Sequence, residues 1–151
     1  MAGSLLFFSG GLDLQISERF TIAVHILACV RYFEGLQPIT SEILSSSIGV
    51  NAVIVRRILL QLKKAGILSI TKGRAGISLA KPAEDITLYD VYTAVEAVGG
   101  GGLFRFHGNP NPDCPVGGKI HIALDGSLRD IQTAFEARMK EIKISDITAA
   151  I

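Results

Sequence analysis

The stretch from Thr40 to Lys81 constrains the fold more than any other, because periodicity, turn residues and charge all change within it. Ser41 to Ser47 has a short helical pattern, Ile48-Gly49-Val50 reads as a turn, and Asn51 to Ala65 is a longer amphipathic helix pattern. At about 100° per residue, Ile54, Val55, Ile58, Leu59, Leu62 and Ala65 share one side of that helix. Val53, Arg56, Arg57, Leu60, Lys63 and Lys64 share the other. Asn51 is a good N-cap and Gly66 a good stop. Leu68-Ser69-Ile70-Thr71 and Ile77-Ser78-Leu79-Ala80 then alternate at period two, which predicts a β-hairpin with Lys72-Gly73-Arg74-Ala75-Gly76 at its tip. Helix, turn, helix and hairpin in this order read as a helix-turn-helix with a wing.

Charge gives that segment a partner. Between Ile43 and Ala83 there is no Asp or Glu, while Arg56, Arg57, Lys63, Lys64, Lys72, Arg74 and Lys81 supply seven positive charges. Residues 1–42 hold two basic and four acidic side chains, and residues 84–151 hold six and ten, so the chain as a whole is only +1. A basic patch on a neutral or acidic body faces a polyanion, here double-stranded DNA. A merely solvated helix face would normally include acids for i,i+4 pairing, and this one has none.

The flanking segments read as support. At 151 residues the chain is about one domain, large enough for a real core. Ile16 to Phe33 has helical spacing with Ser17 as its expected cap, and Thr40 or Ser41 caps the short helix that follows. Thr87 caps a helix carrying Leu88, Val91, Val95 and Val98. Gly99 to Gly102 is a hinge, with no strand–Gly–Lys–Ser/Thr grammar to make it a phosphate loop. The Pro/Gly/Asn-rich loop through Cys114 cannot be helical. A long helix then runs to about Ile142, carrying Leu124, Leu128, Ile131, Phe135, Met139 and Ile142 as an apolar stripe, with Ser145 as the expected cap of a last short helix. The stripe predicts an isologous interface with a second copy. No apolar run reaches the roughly 18 residues of a membrane span, and Leu5-Leu6-Phe7-Phe8 makes a poor signal peptide, so a cytoplasmic, membrane-free protein is expected.

With these pieces in order, the chain resembles the Rrf2 family of bacterial transcriptional regulators from about Ile16 to its C-terminus. The resemblance rests on Val55-Arg-Arg-Ile-Leu59, Leu62-Lys-Lys-Ala-Gly-Ile-Leu68, Gly73-Arg-Ala-Gly76 and Asn111-Pro-Asp-Cys-Pro-Val-Gly117. It implies homodimers joined through the long C-terminal helix, with two winged helices reading a palindrome. Several members hold an iron–sulfur cluster on three closely spaced cysteines in the loop before that helix. Here Cys114 stands alone in that loop, short of the four ligands a cluster needs, so no cofactor is expected.

The expected architecture is therefore mainly α with a small β-hairpin. Residues 1–14 are an extension, 15–98 the winged helix-turn-helix, 99–118 the hinge and sensor-like loop, and 119–151 the dimerisation helix and C-terminal helix. The expected function is operator binding by a homodimeric regulator, a repressor. Arg56 and Arg57 would work in or beside the major groove from a helix whose N-terminus faces phosphates, with Val53 against a thymine methyl. Arg19 would be either a phosphate contact or an ordinary surface charge, and Thr40, Ser41 and Asn51 are also among the expected DNA-binding residues. Lys72 and Arg74 would reach the backbone or minor groove from the wing.

Two cysteines are too few for a disulfide scaffold. Cys29 reads as a small core residue, and Cys114 as the accessible thiol, oxidised to a sulfenic acid or joined to Cys29 as a redox signal, with the bond to Cys29 of the second copy as the favoured form. Four rivals stand beside this reading. A winged helix used only for protein contacts would leave the uncompensated +7 segment without a purpose. A small-ligand effector would need no thiol chemistry. A zinc site on His107, Cys114 and His121 would follow no common spacing. A cysteine-dependent enzyme would need a base and an orienting group, and His107 has no evident Asp or Asn partner.

Overall fold

The computed structural model describes residues 17–72, 76–96 and 102–151. The extension, Ile16, the wing-tip residues Gly73, Arg74 and Ala75, Val98 and the glycines 99–101 lie outside the described residues. Among the described residues six helices and one hairpin follow in chain order: α1 Glu18–Tyr32, α2 Ser41–Ile48, α3 Ala52–Lys64, β1 Leu68–Ile70, β2 Ile77–Leu79, a single 3-10 turn Ala83–Asp85, α4 Leu88–Glu96, α5 Ile120–Glu141 and α6 Ile144–Thr148. The architecture is mainly helical with one small antiparallel sheet, as expected. Among the described residues no single helix is long and apolar enough to cross a membrane.

Helix α1 is the hub. Ile22, Ala23, Ile26, Leu27, Ala28, Cys29 and Val30 are all buried, so it is covered on most of its circumference by α2, α3, α4, α6 and β2. Its N-terminus differs from the expected cap. Ser17 occupies the N-cap position, but its hydroxyl donates to Glu96 at the end of α4 instead of accepting from the first turn.

The turn between α2 and α3 is made by Gly49, whose φ of +78° is the left-handed conformation that glycine adopts without strain. The two helices meet at 114°, within the usual range for this motif. The β1–β2 register pairs Leu68 with Leu79 and Ile70 with Ile77. Gly76 closes the wing at φ +61°, and a Cβ there would lie 2.7 Å from the carbonyl oxygen of Ile39. The Ile77 amide donates to that same oxygen at 3.3 Å, so the wing is anchored on the segment preceding α2.

Thr87 and Asp90 form a reciprocal box at the start of α4, each backbone N–H donating to the other's side chain. An edge-to-face chain of aromatics, Phe20 to Tyr92 to Phe135, joins α1, α4 and α5 with ring centroids 6.4 and 5.8 Å apart. Burial pushes the Tyr92 phenol pKa up, with Glu96 and Glu136 adding to it.

The C-terminus returns to the winged helix. Ile142 lies beyond the last residue of α5 in extended conformation, and its carbonyl accepts from Leu88. The expected helical position for Ile142 is thus corrected. Ile144 is fully buried in the core and its amide donates to the Ile86 carbonyl, which ties the segment expected to form the dimerisation region into the winged helix. Helix α6 is capped at Lys143, whose N–H donates to the Asp146 carboxylate at 2.8 Å, rather than by Ser145.

Candidate nucleic-acid interface

Helix α3 divides sharply. Val55, Ile58, Leu59 and Leu62 are buried and hold it against the core. Val53, Arg56, Arg57, Leu60, Lys63 and Lys64 are exposed, Leu60 at 63%. Ile54, placed on the apolar side by its spacing, is instead 42% exposed. It sits about 90° from the centre of the buried arc, at the edge that no neighbouring element reaches.

The polar residues around α3 are already partly engaged. The Asn51 side chain accepts from the Val53 N–H at 2.8 Å, and Thr40 Oγ1 accepts from the Ile43 N–H at 3.3 Å, so both serve as caps. Ser41 Oγ donates to Glu42 Oε1 at 3.1 Å. Arg19 faces α4, with Nη2 at 4.0 Å from Glu96 and Nε donating to Ser17, so the structure turns it toward the end of that helix. Arg56 donates to Glu42 at 2.9 Å. Sequence reasoning missed this last pair because Glu42 lies 14 residues away and no helical period connects them. Among the described residues Arg57, Lys63, Lys64 and Lys72 form no ion pair. Arg74 lies outside the described residues.

The cysteines occupy different environments. Cys29 is 8% exposed, with Sγ 3.5 Å from the Ser47 hydroxyl that also meets His25, in line with its reading as a core residue. Cys114 is half-buried in a tight turn, where Asn111 Oδ1 accepts from the Asp113 N–H and the Cys114 carbonyl accepts from Gly118. Backbone N–H groups of Gly117 and Val116 approach its sulfur and hold the thiol pKa below its ordinary value.

Along α5 the expected stripe splits. Met139 is buried within its own chain and Phe135 packs edge-to-face on Tyr92, so these two face the winged helix. Leu124 and Ile131 stay open, Ile131 at 51%, beside Ile122 at 81%, and Leu128 is half-buried. The His107 and His121 rings lie 5.1 Å apart with Phe106 against His121.

Comparison with known proteins agrees with this geometry. The Rrf2 family, described as iron-dependent transcriptional regulators, matches residues 16–150. YwnA of Bacillus subtilis (strain 168), designated an HTH-type transcriptional regulator, is 41% identical over 133 residues, covering 88% of this chain and 96% of that protein. A crystal structure described as that of a DNA-binding protein shares 37% identity, with a TM-score of 0.67 over 85% of this chain and 97% of the other. CymR, the global cysteine regulator of B. subtilis, is similar in fold, with a TM-score of 0.69 over 91% of this chain and 98% of that one at 15% identity.

The family description raises iron, and the residues here do not fit a thiolate-ligated cluster. The loop before α5 carries one cysteine, and among the described residues no three His, Cys, Asp or Glu side chains converge as a ligand set, the trio His107, Cys114 and His121 included. What remains is the basic α3 face on a winged helix that matches one family over nearly its whole length. The chain belongs to the Rrf2 family and is a DNA-binding transcriptional regulator, not an enzyme.

Proposed function

We propose that this regulator binds a palindromic operator as a homodimer and represses transcription, with α3 in the major groove of each half-site. The observation that carries the reading is the exposed face of α3, where Arg56, Arg57, Lys63 and Lys64 surround Val53 and Leu60, with Glu42 the single acid paired to it among the described residues. Arg56 and Arg57 give base preference, and Val53 meets a thymine methyl. Lys72 and the wing-tip Arg74 give sequence-independent phosphate affinity, and the Ser41 and Thr40 hydroxyls lie at the α2 N-terminus that faces the backbone. The second copy docks on Leu124 and Ile131, which this chain leaves exposed, and on the half-buried Leu128 between them.

Cys114 is proposed as the signal input. A thiolate there attacks the O–O bond of a peroxide, forming an S–O bond and releasing water or an alcohol once protonated. The amides of Gly117 and Val116 favour that thiolate. A bond to Cys29 of the second copy is the less economical form, because Cys29 Sγ is buried against Ser47 and α2 would have to lift to release it. Signalling through a sulfenic acid at Cys114 needs no such movement.

The test begins by selecting the preferred duplex from a random pool. Arg56→Ala with Arg57→Ala should reduce affinity for that duplex at least 100-fold, on the order of two lost base contacts, while leaving random-duplex binding measurable. Lys72→Ala should weaken both alike and make the salt slope shallower by about one. Selected-duplex affinity unchanged in the double variant refutes α3 as the reading helix.

A further inference from the structure

Arg56 is tethered. Its Nη2 donates to Glu42 Oε1 at 2.9 Å, across the angle between α3 and the first turn of α2. The Glu42 carboxylate has a further partner in Ser41, whose Oγ donates to the same Oε1 at 3.1 Å. Its own backbone amide, the Arg56 guanidinium and the Ser41 and Thr40 side chains keep its pKa below the usual carboxylate value. The first turn of α2 also carries the positive end of that helix, which favours an anion there.

Both partners are more than half exposed, so the pair adds little to stability. Its consequence lies at the DNA surface instead. A carboxylate on a phosphate-facing surface repels every duplex alike, while the guanidinium beside it must present a planar fork to a guanine edge to read a base. A long side chain already held in one place loses less freedom when it makes that contact. The donors of Arg56 that Glu42 does not use remain available to the base.

We propose that Glu42 is a positioning and specificity-determining residue, whose carboxylate sets the Arg56 guanidinium for a guanine in the major groove and penalises duplexes that lack it. This rests on the reading of α3 as the groove-facing helix.

The test uses the full chain and four forms: unaltered, Glu42→Gln, Arg56→Ala, and the two combined. Each is titrated against the selected duplex, against copies with single G·C pairs replaced by A·T, and against random duplex, at several salt concentrations. Glu42→Gln should bind random duplex about threefold to tenfold more tightly, with a salt slope steeper by about one. Its preference for one particular G·C pair should fall about tenfold. In the Arg56→Ala background the same change should cost no further base preference. Equal shifts on all duplexes with base preference intact, or loss of preference that persists without Arg56, would overturn the role of Glu42. If Arg56→Ala keeps base preference at every position, the groove-facing reading of α3 fails, and this inference falls with it.

Discussion

Helices α3 and α5 are both amphipathic, yet they dispose of their apolar faces in opposite ways. The 13-residue α3 turns four side chains completely inward, and the core of its own chain covers them. The 22-residue α5 buries only Met139. Its C-terminal part is held by the Phe135–Tyr92 contact and the return of Ile142 and Ile144 to the winged helix, while Ile122, Leu124 and Ile131 face outward. Helical spacing states that a face is apolar, not which molecule covers it. An uncovered stripe on a long helix is what the proposed dimer would satisfy.

The largest expected effect comes from attacking the uncovered side. Leu128→Asp with Ile131→Asp should leave the monomer folded but abolish dimers in sedimentation. Affinity for a palindrome should fall on the order of 10²–10⁴-fold, because the second half-site no longer binds intramolecularly. A dimer that survives both charges would erase the contrast between the two helices. On the covered side the outcome inverts. Leu62→Ala should cost about 2–5 kcal/mol in urea unfolding, since Leu62 is fully buried, with the loss appearing first as stability rather than as assembly. The neighbouring change Leu60→Ala, on the exposed face, should stay within about 0.5 kcal/mol and register instead in DNA binding.

A smaller effect is expected where the wing meets the segment before α2. Gly76→Ala combines a positive φ with a Cβ 2.7 Å from a backbone oxygen, so about 1–3 kcal/mol of strain should appear as wing fraying in amide exchange. Normal protection of the Thr71 and Ile77 amides in that variant would show that the anchor on Ile39 is dispensable. The gentlest probe compares the two cysteines. Cys114, approaching α5, should alkylate quickly and remain reactive below about pH 8, where an ordinary thiol is mostly protonated, because a lowered pKa preserves the thiolate as pH falls. Cys29, inside the core, should react only on unfolding. Mass spectrometry after a brief iodoacetamide pulse reads both, and equal labelling would remove the thiol-sensor proposal.

Local chemistry made much of this protein legible in one dimension. Gly49, Gly66 and Gly76 mark the places where the backbone turns left-handed, and the caps Thr40, Asn51 and Thr87 stand where helices α2, α3 and α4 begin. The alternation of Leu68 to Ile70 against Ile77 to Leu79 sets the hairpin, and the absence of acids from residues 43–83 marks the segment proposed to face DNA. These signals act within a few residues, so the order of amino acids is enough to carry them.

Tertiary structure alone decided what depends on distance in space. It turned Ser17 and Arg19 toward Glu96, exposed Ile54 at the edge of the buried arc, and divided the α5 stripe between its own chain and open surface. It brought Ile144 into the core beside Ile86, and it joined Glu42 to Arg56 across the 114° turn. None of these follows from periodicity. Each pairs residues whose separation along the chain is unrelated to their separation in space, and only the packing of the elements against one another sets that second distance.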